Sequence, residues 1–313
     1  MTHHSGGSAA AFKARDAASY DPVVDTFGHF SDRFSPPLAE RVVSLARIRA
    51  GDRVLDVGTG TGIIALAAAK LVGPAGRVVG VDLSKAMLRE AARRAAQDGL
   101  ADRVTFREMD AEQLDLAARS FTVATSLYAL LHFPNPLTAL REQFRVLEPG
   151  GRIVVAVGSR PPPLSVTGMV HRVGYVPKLV AQLLGRRLIA PMLLDSLVEE
   201  RFRGRSAPEQ SALADASRSR TGSVVQLVRR AGFTGIRTQW EGREAIIADP
   251  EEFWMIQRTF SSIARKRLEE RSPEEVAALR EEFLDRCRTT QARGGRLVYP
   301  YAAFYVSAER PRD

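Results

Sequence analysis

The sequence predicts an α/β protein built on a mostly parallel sheet of seven strands, interrupted by two helical insertions. Three observations carry this. Short apolar runs alternate with helix-forming segments between residues 53 and 157, the pattern of strand–helix–strand units and a parallel sheet. A Gly-x-Gly-x-Gly loop (Gly58, Gly60, Gly62) follows the first run without a gap. An acidic residue sits within or just after each of the first three runs: Asp56, Asp82 and Asp110.

The elements follow in order. Arg53-Val54-Leu55-Asp56-Val57 reads as a buried strand, and 63–70, rich in alanine with Ile63, Ile64 and Leu66, reads as a helix. A second strand over 77–81 ends on Asp82, and Ser84 caps a helix through Met87 and Leu88 that Gly99 stops. A third strand over 104–107 leads to Asp110. A fourth over 121–127 leads to Tyr128 and His132. Asn135 and Pro136 open a helix, Gly150-Gly151 close it, and 153–157 form the fifth strand. In parallel sheets, ligands bind beyond the carboxyl ends of the strands. Asp56, Asp82, Asp110 and His132 all gather there, and that shared edge weighs more than any one of them.

After residue 160 the regularity breaks. Pro161-Pro162-Pro163 forbids regular structure, 176–202 reads as a basic and apolar helical stretch, and 203–220 as a polar loop. A helix over 223–231, stopped by Gly232, and a strand through Ile236 and Trp240 restore the pattern. Asp249-Pro250-Glu251-Glu252 and Ser272-Pro273-Glu274-Glu275 are two helix starts, each with a cap, a first-turn proline and a glutamate at the capping-box position. A strand over 296–308 closes the chain. The expected organisation is therefore 1–50 as tail and cap helices, with 1–11 disordered, and 51–160 as the ligand-binding core. Residues 161–220 form a lid insertion, and 221–313 the C-terminal part of the core with the helical insertion 249–294.

Composition narrows the function classes. The net charge of +9 is concentrated in 171–230, with 11 basic against 5 acidic residues, whereas 1–160 is nearly balanced at 20 to 17. A solvated basic face is the plain reading of such an excess, and an anionic partner or substrate is the other. Nucleic acid is disfavoured as a partner, because the aromatics are not interleaved with the basic stretch as base stacking requires. No apolar run approaches the roughly 18 residues of a membrane span, and no apolar signal core opens the chain. Within 176–202, Leu179, Val180, Leu183, Leu184, Leu188 and Ile189 lie beside Lys178, Arg186 and Arg187. That pairing suits a packed helix, a lid over a lipophilic substrate or a peripheral membrane contact. Cys287 is the only cysteine, which excludes an intrachain disulfide and a cysteine-rich metal site; no metal is expected, and a reducing cytoplasm is the default compartment.

The glycine loop is the first chemical signal. Its spacing departs from the Gly-x-Gly-x-x-Gly of dinucleotide sites. Asp56 just ahead of it suits an ammonium or sulfonium better than a pyrophosphate. Asp82, at the end of the second strand, stands where a carboxylate accepts both hydroxyls of a ribose. The loop therefore favours a cationic nucleoside.

Val54-Leu55-Asp56-Val57-Gly58-Thr59-Gly60-Thr61-Gly62 resembles the first motif of class I S-adenosylmethionine-dependent methyltransferases. The similarity continues through Val81-Asp82-Leu83-Ser84, Met109-Asp110-Ala111-Glu112 and Leu147-Glu148-Pro149-Gly150-Gly151-Arg152, roughly the first half of the chain. The pattern is similar to the ubiquinone/menaquinone-biosynthesis methyltransferases and their secondary-metabolite relatives. The resemblance implies a Rossmann-like fold and S-adenosyl-L-methionine as cofactor. It implies that Gly58 and Gly60 line the methionine moiety, Asp82 holds the ribose, and Asp110 with the Ala111 backbone reads the adenine edge. Asp56 would orient the amino group or the loop, and Thr59, Gly62, Leu83 and Met87 complete the site. An aromatic from the segment 20–34 often covers the cofactor in that family, which makes Tyr20 and Phe27 candidates; packing on the core is the alternative for both. Two departures stand out. Thr122 follows Phe121 where the family often has aspartate, and 126–133 match no nucleic-acid-methylating pattern.

For catalysis, His132 at the carboxyl edge is the candidate general base, the alternative being a loop histidine bonded to backbone. Tyr128 is a second candidate, or pocket wall. Asp110 could also cap a turn. Phe253, Trp254 and Arg258, on the first inserted helix, face either a substrate pocket or their partner helix, with packing the reading for Trp254, and Cys287 shows no sign of being a nucleophile. The expectation is a methyltransferase acting on a small, lipophilic molecule through O, C or N. A cyclase of the same fold without net methyl transfer is the alternative, and an RNA-associated methyltransferase a more distant one.

Overall fold

The computed structural model describes residues 5–158, 186–190, 192–202 and 221–313. They fall into two compact units, one within Met1–Ser159, Ser219–Gln239 and Ala303–Asp313, the other within Arg160–Arg218 and Trp240–Ala302.

The first unit begins with helices α1 (Ser5–Ala18), α2 (Val24–Phe34) and α3 (Pro36–Ala46), with a 3₁₀ turn Asp21–Val23 between the first two. Strand β1 (Arg53–Val57), α4 (Ile63–Val72), β2 (Arg77–Asp82), α5 (Lys85–Gln97) and β3 (Val104–Glu108) follow. After them come β4 (Phe121–Leu127), a 3₁₀ turn Leu130–His132, α6 (Pro136–Val146) and β5 (Leu147–Gly158). The second unit holds β6 (Arg187–Ile189) and α7 (Met192–Arg201). Helix α8 (Thr221–Arg230) returns to the first unit, and β7 (Thr234–Ile247) runs from the first unit into the second. Helices α9 (Pro250–Phe260), α10 (Ser262–Glu269) and α11 (Pro273–Ala292) belong to the second unit, and β8 (Arg296–Glu309) runs back into the first.

In the first unit the strand order is β3-β2-β1-β4-β5-β8, with β1 to β5 parallel and β8 antiparallel to β5. Strand β1 lies between β2 and β4, with Leu55 facing Val79 and Ala124 across the ladders. A strand paired on both edges and covered on both faces has no solvent side, so its sequence reads as one apolar run. Helix α3 packs on α4, β4 and β5 through Leu38, Ala39, Val42, Val43 and Ala46, all buried. In the second unit β6 pairs in parallel with the first residues of β8, and α9 packs on α11. There Phe253 and Trp254 are buried against Phe283, at ring separations of 5.8 and 5.1 Å.

Four expectations change. Residues 5–11, expected as tail, are the first turns of α1. Residues 187–189, expected within a helix, form an eighth strand where seven were expected, because three apolar-flanked residues carry no period and β8 offers them hydrogen-bond partners. Helix α6 stops at Val146 rather than at Gly150-Gly151. Its last carbonyls are taken by Arg310, whose Nη1 donates to Phe144 O, Arg145 O and Leu147 O at 2.8, 3.2 and 2.7 Å, so the chain can leave the helix early. The glycine pair lies instead in the irregular start of β5, where Gly150 N donates to Arg310 O and Arg310 N to Gly151 O. The helical insertion contains a third helix, α10, started by the Ser261 hydroxyl on Ala264 N. Both expected caps are present: Asp249 accepts from Glu251 N, and Ser272 with Glu275 closes a reciprocal capping box. The expected loop 203–220, and residues 161–185 with Lys178, Leu179, Val180, Leu183 and Leu184, lie outside the described residues.

Candidate functional site

The carboxyl edge of the sheet in the first unit collects the candidate residues. Strand β1 runs straight into the glycine loop, whose Gly58 and Thr59 amides donate to Val81 O at the end of β2, at 2.8 and 3.0 Å. Gly58, Gly60 and Gly62 all have positive φ (70°, 53° and 83°), where a side chain is strained. Their surroundings differ. A Cβ on Gly58 would stand 2.2 Å from the Cβ of Ala129, and one on Gly62 would press on Ala91 and Phe106. A Cβ on Gly60 would meet only the Phe27 ring, at 4.0 Å. Gly58 and Gly62 thus let backbone segments pack, while Gly60 leaves a cradle that a ligand can approach.

Asp56 is 1% exposed and faces inward. It is in register with Thr125 on β4, and its two oxygens accept from the hydroxyls of Thr59 (2.7 Å) and Thr125 (2.8 Å). Of the two roles the resemblance implies, this geometry supports the loop. Burial pushes the Asp56 carboxyl up to about 6; the two hydroxyls oppose the shift and the nearby Asp82 adds to it. The proton-bearing native state is therefore favoured below the ordinary carboxyl range, and that stability is lost as pH rises through about 6. Asp56→Asn keeps the shape and removes the titration. Its stability relative to the wild type is expected to rise by roughly 2–3 kcal/mol between about pH 4 and pH 7. Urea unfolding of both proteins across that range checks it, and parallel pH profiles would contradict the assignment.

Asp82 closes β2. Its Oδ2 accepts from Gly60 N at 2.9 Å and its Oδ1 from Ser84 N at 3.0 Å, so the carboxylate ties the glycine loop to the α5 cap. The Leu83 amide also faces this carboxylate, and the lone pairs of a carboxylate, about four in all, leave capacity for a ligand hydroxyl. Burial raises its pKa, against the backbone amides that lower it. Asp110, two residues past β3, accepts from Glu112 N at 2.9 Å and from Lys13 Nζ at 2.8 Å. Ala111 beside it is buried, as are Thr59 and Met87, while Leu83 is half-buried. Phe27 and Tyr20 stand edge to face at 5.8 Å, with Phe27 the nearest side chain over Gly60.

Tyr128 follows β4 with φ 60°, a conformation costly for a bulky residue, and its amide donates to Ala156 O at 2.8 Å. The chain then turns through Leu130–His132. His132 Nδ1 lies 3.3 Å from Asp16 Oδ2, a partner carried by α1. Sequence reasoning missed both α1 residues at this edge. Lys13 pairs with Asp110 and with Glu112, at 2.8 Å each, and Asp16 follows one turn later. Desolvation works against the Lys13 charge, but hydrogen bonds and charge from Asp110 and Glu112 outweigh it and leave the pKa raised. The available signal was the Lys13/Asp16 spacing, which places both on one helix face. Glu112 also accepts from Asn135 N and Nδ2, linking this corner to the start of α6. Away from the edge, Cys287 is buried and its thiol is pushed up to about 12 by burial, as an inert core cysteine should be. Among the described residues no group of three or more His, Cys, Asp or Glu is placed to hold a metal.

The edge fits a cofactor rich in hydroxyl and amine donors: it offers an open glycine cradle at Gly60 and two carboxylates, Asp82 and Asp110, at adjacent strand ends. Residues 54–151 match the family described as methyltransferase domain. The chain is 30% identical over 191 residues to the aklanonic acid methyltransferase DauC of Streptomyces sp. (strain C5), covering 61% of this chain and 80% of that one. It is 30% identical over 290 residues to the nocamycin O-methyltransferase of Saccharothrix syringae, covering 92% and 96%. The ubiquinone/menaquinone biosynthesis C-methyltransferase UbiE of Pseudomonas putida is 38% identical over 145 residues, or 46% of this chain and 56% of that enzyme. Among solved structures, the [4+2]-cyclase SpnF superposes with a TM-score of 0.52 at 21% identity, covering 90% of this chain and 83% of that one, a likeness of fold alone. The chain is a class I S-adenosylmethionine-dependent methyltransferase, an enzyme of the Rossmann-like α/β fold that uses S-adenosyl-L-methionine as its methyl donor.

Proposed function

We propose that this methyltransferase transfers a methyl group to an oxygen of a small, lipophilic molecule. The observation that carries an acceptor with a proton to lose is His132, an imidazole at the carboxyl edge of β4, beside the glycine loop through Ala129. A base at that place has a purpose only if the acceptor carries a proton to remove. Support for oxygen comes from the likeness to nocamycin O-methyltransferase, which spans nearly the whole chain. Support for a small organic acceptor comes from relatives named for aklanonic acid and ubiquinone/menaquinone. The likeness to a cyclase is one of fold and carries no weight for the reaction.

In this reading Asp82 holds the ribose hydroxyls, Asp110 and the Ala111 backbone face adenine, and the Gly60 cradle takes the methionine moiety. Phe27 covers the loop, with Tyr20 bracing it. Asp56, Gly58, Thr59, Gly62 and Met87 hold the loop and α5 in shape, and Leu83 lies beside the ribose carboxylate. When bound, S-adenosylmethionine would supply an electrophilic methyl group on its sulfonium, open to a lone pair of the acceptor oxygen. His132 takes the acceptor's proton at Nε2, and Tyr128 forms part of the wall. His132→Ala is expected to lower kcat by about 10²–10⁴-fold on a hydroxyl acceptor while leaving cofactor affinity unchanged. The test of the function is a panel of lipophilic phenols, carboxylic acids and amines, with products located by NMR. Methyl ethers or esters support the proposal, and methylation confined to carbon or nitrogen overturns it.

A further inference from the structure

We propose that Asp16 is the positioning residue for His132: it fixes the imidazole as the Nδ1–H tautomer and faces the positive charge that forms when Nε2 takes a proton. The proposal rests on the base role given to His132 above and adds a residue from a different element.

Asp16 lies in the last turn of α1, and its carboxylate is 13% exposed against 35% for the His132 side chain it meets at 3.3 Å. At that distance the carboxylate is within reach of the Nδ1 hydrogen, and a donor or cation facing a carboxylate this far out of water offsets part of its desolvation. A second carboxylate adds to that penalty: Asp16 and Asp82 interact electrostatically, each disfavouring the other's charge. An imidazole N–H relieves this in the resting protein, and an imidazolium relieves it more.

The helix that carries Asp16 is itself held in place. Three residues earlier, on the same face, Lys13 bridges Asp110 and Glu112. At the C-terminal end of α1, the Ser19 hydroxyl donates to Asp16 O at 2.7 Å in a buried setting. Among the described residues, charged groups on this side of the pair include Lys13 from α1, Asp82 from β2, and Asp110 with Glu112 after β3. Lys13 is committed to the last two. On the far side the 3₁₀ turn packs on β5, whose 153–157 segment is apolar and buried, and on α6, where Glu142 and Arg145 are paired with each other.

Free neutral imidazole favours the Nε2–H tautomer, which presents a donor where a base must present a lone pair. An acceptor on Nδ1 reverses the preference. In the proton step, the acceptor O–H bond breaks, its proton forms a bond to Nε2, and the Nδ1–H stays on the ring, hydrogen-bonded to Asp16. No proton passes to Asp16, whose charge balances the imidazolium.

The experiment compares the wild type, Asp16→Ala and Lys13→Met. In ¹⁵N-labelled, cofactor-free protein at a pH where the ring is neutral, long-range ¹H–¹⁵N spectra are expected to show His132 with its proton on Nδ1 in the wild type and in Lys13→Met. In Asp16→Ala the proton is expected on Nε2. With a hydroxyl acceptor, Asp16→Ala is expected to lose about 10–10³-fold in kcat with both KM values nearly unchanged. If Asp16 only anchored α1, Lys13→Met would reproduce the kcat loss and no tautomer would change. An unchanged tautomer in Asp16→Ala, or a kcat within twofold of wild type, overturns the proposal. Should Asp16→Ala fail to fold, Asp16→Asn keeps the volume and is expected to show the kcat loss, because the charge opposite the imidazolium is gone. A tautomer switch without methylation of any hydroxyl would sink the oxygen-acceptor reading and leave the Asp16–His132 pairing standing.

Discussion

Asp82→Ala is expected to weaken S-adenosylmethionine binding by at least 10²-fold while leaving the protein folded. Two charge-assisted hydrogen bonds to ribose hydroxyls are each worth about 1.5–3 kcal/mol, and 1.4 kcal/mol is a factor of ten. The alanine also releases Gly60 N and Ser84 N, which the carboxylate holds at 2.9 and 3.0 Å, so the loop loses its brace together with the ligand contact. Asp82→Asn separates the two effects, since an amide oxygen can still accept from one of those amides. Calorimetric titration reads the affinity, and a thermal melt confirms the fold. Equal affinity in the wild type and the alanine variant would remove Asp82 from the cofactor site.

Gly58→Ala is expected to be the most damaging conservative change in the loop. At φ 70° a side chain costs about 1–2 kcal/mol. The new Cβ would also stand 2.2 Å from Ala129, a clash the segment leading to His132 must absorb. Overpacking of this kind adds roughly 1–3 kcal/mol, so the melting temperature should fall by roughly 5–15 °C and turnover should drop with it. Gly60→Ala is the contrast. Its Cβ meets open space apart from Phe27, so it should lose cofactor affinity with a smaller loss of stability. Equal melting temperatures for the two variants would contradict the division of roles between these glycines.

The half of the chain that makes the parallel sheet was legible because its causes are local. Strand β1 carries a short apolar run around Asp56, the glycines follow at once, and Asp82 and Asp110 end or follow short runs whose length fits strands. What was missed depends on contacts far apart in sequence. Helix α6 stops at Val146 because Arg310 reaches its carbonyls, and no feature near residue 146 announces this. Strand β6 exists because residues 296–298 pair with it. Helix α1 hides among small residues, and its importance rests on Lys13 finding Asp110 and Asp16 finding His132. The glycine loop and the carboxylates of the candidate cofactor edge were therefore readable as a motif, whereas the residues around the candidate base became visible only in three dimensions.

The most direct measurement follows a label. Enzyme is incubated with methyl-labelled S-adenosylmethionine and a hydroxyl-bearing acceptor, and product and spent cofactor are both quantified. Transfer of the methyl group to acceptor oxygen predicts label in the product, one S-adenosylhomocysteine for each product molecule, and loss of both with His132→Ala. An acceptor that is converted while the labelled cofactor is recovered intact would contradict methyl transfer.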